Sequence, residues 1–209
     1  MAIPPFRVYL FDVDGTLVES ARDICGTIQQ VLVSRGRLDV SDALLRSYIG
    51  RHLIELFRDL KFPKDEIDPM VADYRAIYTA GGHANTSVYP GVPEMLQELG
   101  GLKSTATTKG TPTTRVILEK FGLMPYFHHV QGTDGFPAKP EPDVILKSIE
   151  IFGVKPSECL MVGDAPSDME AGRRAGVKTC AVRYGYGNLE AMAAFQPDFW
   201  IDHPSELVH

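Results

Sequence analysis

The chain has 209 residues, a formal net charge of −6, 44% hydrophobic residues and 23% charged residues. This is the make-up of an ordinary globular protein, long enough for one domain with an insert or for two small domains. The acidic balance argues against a nucleic-acid binder, and neither a signal segment nor an apolar stretch of membrane-spanning length is seen, so a cytoplasmic setting is expected. Cys25, Cys159 and Cys180 are odd in number and far apart, which excludes a disulfide framework or a zinc site and leaves core filling for Cys159 and Cys180.

The first element is the apolar run Val8-Tyr9-Leu10-Phe11, which reads as a buried parallel strand, with Gly15 as the sharp exit from it. Asp12 and Asp14 stand at that exit, where open α/β sheets bind ligands. Two carboxylates so close need a cation or protons to offset them, and a divalent metal is the simplest offset. One aspartate is then placed to attack and the other to move a proton. The segment also fits a surface turn. A calcium loop does not fit, because Gly15 is misplaced, no third ligand precedes it, and the flank is a strand.

A long helical region follows. Ala21 to Val33 carries Ile24, Ile28, Val31 and Leu32 at helical spacing. Ser41 precedes Leu44-Leu45 as a helix cap, residues 53 to 60 form a third helix, and Ile67 to Ala80 a fourth. No strand pattern appears between about residues 20 and 85. After Gly81-Gly82 the pattern alternates. A turn at Tyr89-Pro90-Gly91-Val92-Pro93 leads into a helix bearing Met95, Leu96 and Leu99. Then come a strand over Lys103–Thr107, a helix over Thr113–Phe121, a short strand over Phe127–Val130 and a helix over Pro142–Phe152. A buried strand at Cys159–Val162, a helix at Asp168–Ala175 and a strand at Thr179–Val182 complete the series. Alternation of this kind predicts an α/β Rossmann-like parallel sheet with helices on both faces. The expected organisation is a core of residues 1–18 and 86–209, with an all-helical cap of residues 19–85 inserted beside the carboxylates and placed to act as a lid.

Three more chemical segments follow strands. Thr107 and Thr108 offer hydroxyl and backbone N–H groups suited to an anion such as phosphate, although a threonine there also serves as a turn or N-cap. Lys139-Pro140-Glu141-Pro142-Asp143 fixes an ammonium before a helix, able to offset a phosphoryl oxygen or the aspartates. Gly163-Asp164-Ala165-Pro166-Ser167-Asp168 supplies a second acid pair, of the oxygen type that Mg²⁺ takes.

An acid pair, a hydroxyl, a lysine and a second acid pair, each after a strand, resemble the haloacid dehalogenase superfamily of aspartate-nucleophile phosphohydrolases. The likeness is nearest to its phosphoglycolate phosphatase-like members, through Phe11-Asp12-Val13-Asp14-Gly15-Thr16-Leu17, Tyr89-Pro90-Gly91-Val92, Lys139-Pro140-Glu141-Pro142-Asp143 and Val162-Gly163-Asp164. The helical insert is similar to that superfamily's first cap type. The resemblance implies that Asp12 attacks phosphorus and forms an aspartyl-phosphate. It implies that Asp14 protonates the leaving alcohol and then deprotonates water. Asp14, Gly15, Thr107, Thr108 and Lys139 are the implied phosphate contacts, with Lys139 also orienting Asp12. Asp12, the Asp14 carbonyl and Asp164 are the implied Mg²⁺ ligands, with Asp168 bound through water or supporting them. The implied partner is a small phosphorylated metabolite, foremost 2-phosphoglycolate, with no nucleic acid and no membrane, acted on by a monomer or homodimer.

Thr108 departs from this pattern, where relatives often carry Asn, and Lys103-Ser104-Thr105 is unusually polar for a sheet. A sugar-phosphate mutase of the β-phosphoglucomutase type would share the core, but such relatives often have Glu-Asp-Ser where this chain has Gly163-Asp164-Ala165. A dehalogenase lacks the second aspartate that Asp14 supplies. A phospho-receiver switch uses a similar residue set without turnover, in a shorter chain without an insert. Within the cap, Gly50-Arg51-His52 is the expected substrate loop, with Arg51 able to pair a substrate carboxylate. A solvated Arg51 and His52 at a helix start fit the same residues.

Overall fold

A computed structural model describes residues 3–208, so positions 1, 2 and 209 of the expected core lie outside the described residues. Strand β1 (Val8–Phe11) is buried along its whole length, as an apolar strand with neighbours on both sides must be. The chain then forms β2 (Val18–Glu19), helices α1 (Ala21–Ser34), α2 (Asp42–Arg46), α3 (Leu53–Asp59) and α4 (Lys64–Ala80), and β3 (Ser87–Val88). Strands β2 and β3 pair antiparallel, so the chain leaves and re-enters the sheet region through one narrow ribbon. The remainder is α5 (Val92–Glu98), β4 (Leu102–Thr105), α6 (Thr111–Lys120), α7 (Asp143–Phe152), β5 (Cys159–Gly163), α8 (Pro166–Ala175), β6 (Lys178–Val182), α9 (Leu189–Ala193) and β7 (Phe199–Ile201).

The sheet order is β4-β1-β5-β6-β7, parallel throughout. From β1 the chain passes to one side for β4 and to the other for β5. That reversal opens a crevice at the carboxyl end of β1. Alternate residues of β1 feed two apolar clusters: Tyr9 and Phe11 join Leu160, Val162 and Leu96, while Val8 and Leu10 join Met161, Val144 and Ile145. In the helical stretch, α1 packs on α4 through Ile24, Ile28 and Val31 against Met70 and Val71, the spacing seen in the sequence. The three cysteines are free and buried. Among the described residues, no helix is long and apolar enough to cross a membrane.

One predicted strand is absent. Residues 127–130 make only an isolated bridge, Ser104 to His129, after a 3₁₀ turn at Met124–Tyr126. The amides of His128 and His129 both donate to Lys103 O (2.9 and 3.3 Å), and side chains supply the remaining bonds. His128 Nδ1 accepts from the Lys103 amide (3.1 Å), while Thr105 Oγ1 donates to Gln131 O (3.0 Å) and accepts from Gln131 N (2.8 Å). This also accounts for the polar strand. β4 lies at the sheet edge, where Lys103 Nζ bonds the carbonyl of Leu99 and Ser104 Oγ meets Ser148 Oγ of α7 at 3.2 Å. Each polar group there has a partner, which removes the cost of its burial. The ribbon strands, α9 and β7 escape sequence reading because runs of two to five residues carry too little periodicity.

Thr105→Val keeps the side chain's shape and removes both Gln131 bonds. It is expected to lower the unfolding free energy by about 1–3 kcal/mol, read as a shifted urea midpoint at unchanged slope.

Candidate active site

Asp12 continues the line of β1: its amide donates to Val162 O (2.9 Å), and the Ala106 amide donates to Phe11 O (2.7 Å). The carboxylate is thereby set at the crevice between β4 and β5. Gly15 turns the chain back with φ +85°, and a Cβ there would stand 2.2 Å from Asp164 Oδ2. Both the backbone conformation and the close approach therefore require glycine. Asp164 follows β5, next to β1. Its Oδ2 accepts from the Tyr186 amide (2.7 Å) and its Oδ1 from the Thr16 hydroxyl (3.5 Å). Asp168 lies in the first turn of α8, where its Oδ2 accepts from the Ala165 amide (3.0 Å), a favourable place for a carboxylate.

Lys139 approaches from the loop before α7 and is buried. Its Nζ donates to Asp12 Oδ1 at 2.8 Å and to Asp168 Oδ1 at 2.5 Å. Asp12, Asp164 and Asp168 each place an oxygen within 4.8 Å of the others. Burial raises the Asp12 pKa to about 6; Lys139 opposes the rise, and the charges of Asp168 and Asp14 add to it. Asp164 is pushed well above the carboxylate range, by burial first and then by Asp12 and Asp168. Burial works against the Lys139 ammonium, yet Asp12 and Asp168 together hold its pKa above the usual lysine value. One ammonium thus faces three buried carboxylates. The surplus negative charge and the all-oxygen donor set fit a divalent metal ion.

Asp14 has its own neighbourhood. Ser20 Oγ donates to its Oδ1 (2.6 Å), and Lys109 Nζ lies 3.2 Å from its Oδ2. Lys109 also donates to the Tyr78 hydroxyl of α4 (3.3 Å) and sits over that ring. Thr107 Oγ1 accepts from the Lys109 amide (3.3 Å), and Thr107 O accepts from Thr133 Oγ1 (3.0 Å). The Thr108 hydroxyl donates to Gly50 O (3.1 Å), joining the β4 exit to the α2–α3 loop.

A cavity of about 550 Å³ opens here, within the range of pockets that hold small metabolites. Asp12, Asp14, Thr107, Thr108 and Lys109 line it from the sheet side. Tyr48, Arg51, His52, Arg75 and Tyr78 line it from the helical stretch. Lys139, Asp164 and Asp168 lie off its wall, with Lys139 bonded to Asp12. Arg51 is engaged: it donates twice to Glu55 Oε2 (2.9 and 2.7 Å) and stacks on Tyr48. The His52 Nδ1 caps α3 by accepting from the Ile54 amide (3.3 Å). Every residue singled out in the sequence thus borders the cavity or the acid cluster just behind it, Gly15 through its contact with Asp164.

Sequence reading missed Ser20, Lys109 and Tyr186. Each had a signal: Ser20 stands just before α1, Lys109 two residues after Thr107, and Tyr186 between Gly185 and Gly187 beyond β6, at the same sheet edge. Tyr186 also accepts bonds through its hydroxyl from the Ser20 amide (2.6 Å) and the Ala21 amide (3.1 Å). Its loop therefore holds Asp164 and the start of α1 together.

The profile of the family described as haloacid dehalogenase-like hydrolase matches residues 9–182. A phosphoglycolate phosphatase of Aquifex aeolicus is 35% identical over 209 aligned residues, covering 97% of this chain and 95% of that protein. An N-acetylmuramic acid 6-phosphate phosphatase of Pseudomonas aeruginosa is 29% identical, covering 97% and 93%. The solved structure of a haloacid dehalogenase-like family hydrolase from Streptococcus pneumoniae superposes with a TM-score of 0.90 at 26% identity, covering 97% of this chain and 96% of that one.

Lys139→Met removes the one cation that, among the described residues, bonds two buried carboxylates. The metal-free variant is expected to lose roughly 3–5 kcal/mol of stability. Urea unfolding should also show that adding Asp168→Asn recovers part of the loss, as a double-mutant cycle reads directly.

Proposed function

This chain belongs to the haloacid dehalogenase-like hydrolase family, and from that premise we propose that it is a Mg²⁺-dependent phosphatase. Its substrate is a small phosphate monoester, and 2-phosphoglycolate is the leading candidate because several relatives carry that activity in their names. The observation that carries the reading is the placing of two carboxylates on one cavity wall with different partners. Asp12 is backed by Lys139, while Asp14 is held by Ser20 and Lys109.

In the proposed reaction an Asp12 oxygen attacks phosphorus. The new O–P bond forms as the bond to the leaving alcohol oxygen breaks. Asp14, in its acid form, gives that oxygen its proton. Asp14, now ionised, takes a proton from water as the water oxygen attacks phosphorus and releases Asp12 and inorganic phosphate. Lys139 keeps Asp12 in place and offsets its charge. Thr107 and the backbone at Gly15 and Thr108 receive phosphoryl oxygens. Asp12, the Asp14 carbonyl and Asp164 would hold Mg²⁺, with Asp168 behind them; when bound, the ion supplies positive charge beside the phosphoryl oxygens. Splitting the hydrolysis into two steps lowers a barrier that, uncatalysed, is among the highest in biochemistry.

Residues 19–85 act in this reading as a cap on a core of residues 1–18 and 86–209. The cap supplies half of the cavity wall, and its closure excludes water. Three free buried cysteines fit a reducing cytoplasm.

In a phosphate-release assay with Mg²⁺, Asp12→Asn is expected to reduce turnover to background while thermal unfolding shows the fold retained. Full activity in that variant, with deamidation excluded by mass spectrometry, contradicts the nucleophile. Asp14→Asn should lose about 10²- to 10⁴-fold in kcat, the usual worth of a positioned proton donor and acceptor.

A further inference from the structure

The cavity wall carries three permanent cations, Arg51, Arg75 and Lys109. Two are committed. Lys109 pairs with Asp14, and Arg51 is bonded twice to Glu55, with Asp59 also at 3.9 Å. Arg75, on α4, makes no ion pair and no side-chain hydrogen bond among the described residues. His52 shares the wall with it. Because His52 Nδ1 accepts from the Ile54 amide, the proton of the neutral ring is on Nε2, which is left as a donor. Burial holds the His52 pKa below its ordinary value, with Glu55 opposing the shift and Arg75 adding to it.

A phosphoryl group bound against Asp12 and Thr107 leaves the rest of a 550 Å³ cavity for the remainder of the ester. An uncommitted guanidinium sharing that remaining wall with a ring N–H is a ready anion receptor, and guanidinium suits a carboxylate in two-pronged geometry. Recruiting Arg51 instead would first require breaking its bonds to Glu55 and its stacking on Tyr48.

We propose that Arg75, assisted by His52, is the specificity-determining cation of the helical stretch, and that the substrates it selects are phosphate monoesters bearing a carboxylate away from the phosphoryl group. This rests on the phosphatase reading for its setting and replaces Arg51 with Arg75 as the receptor.

The test uses two matched pairs of esters: 2-phosphoglycolate with ethyl phosphate, and 3-phosphoglycerate with glycerol 3-phosphate. Each pair differs by the carboxylate. The native protein should favour the carboxylated member in at least one pair by kcat/KM. Arg75→Gln should cut that preference about 10- to 100-fold, the worth of a charge-assisted bond, while the uncharged members change by less than about twofold. Arg51→Gln should leave the preference in place. The proposal is overturned by no preference in either pair, by equal loss on both members, or by transfer of the effect to Arg51→Gln. Calorimetric binding of the same four esters to Asp12→Asn, with and without Arg75→Gln, reads the discrimination without turnover. A native protein that hydrolyses none of the esters therefore refutes the phosphatase reading, while the binding arm still decides Arg75.

Discussion

The Lys139 ammonium sits between the Asp12 and Asp168 carboxylates, at 2.8 and 2.5 Å, with Asp164 completing the acid group. Burying such a set costs several kcal/mol per ion unless partners offset it. The surrounding structure supplies those partners one by one. The Ala165 amide serves Asp168, and the Tyr186 amide and Thr16 hydroxyl serve Asp164. Even so, one ammonium faces three carboxylates, and burial first, then the neighbouring carboxylate charges, raise the pKa values of Asp12 and Asp164. A divalent cation is the natural remedy, and the order of the sheet is what brings the carboxylates close enough to share one.

That order also separates two tasks. The loop before α7 brings Lys139, and the start of α8 after β5 brings Asp168, to the rear of Asp12, while its front meets the cavity. Asp14, two residues later, has turned away toward Ser20 and Lys109. Two aspartates in one short motif thus acquire different surroundings, the condition for one to attack while the other carries a proton. Contacts cross from the helical stretch into this arrangement: Tyr78 reaches Lys109, and Gly50 receives the Thr108 hydroxyl. A movement of α4 or of the α2–α3 loop would be felt at Asp14 and at the β4 exit.

The parts of this arrangement that were legible in the sequence are those with strong local signals. Val8 to Phe11 is a continuous apolar run, and its strand is where the run predicts. Asp12, Asp14, Asp164 and Asp168 follow β1 or β5, and parallel topology gathers those strand ends, whereas Lys139 reaches them from the loop before α7. The apolar residues of Phe127–Val130 imitate a strand, but among the described residues the segment bonds β4 only through Lys103, with the His128 ring accepting from the Lys103 amide and the His128 and His129 amides donating to Lys103 O. The polarity of Lys103-Ser104-Thr105 made sense only once β4 proved to be an edge strand packed on α7. Arg51 stands in the Gly50-Arg51-His52 loop expected to meet substrate, yet Glu55 lies four residues on along the chain, a spacing that invites the ion pair found. Arg75 and Tyr186 owe their importance to long-range placement, which no local pattern carries.

The central claim is that the buried carboxylates carry more negative charge than the chain itself neutralises, and so require a divalent ion. A calorimetric titration of the metal-free protein with Mg²⁺ tests this most directly. The account predicts a single saturable site per chain, abolished by Asp164→Asn in a folded protein. Undiminished Mg²⁺ affinity in that variant, or no binding by the native chain, would contradict it.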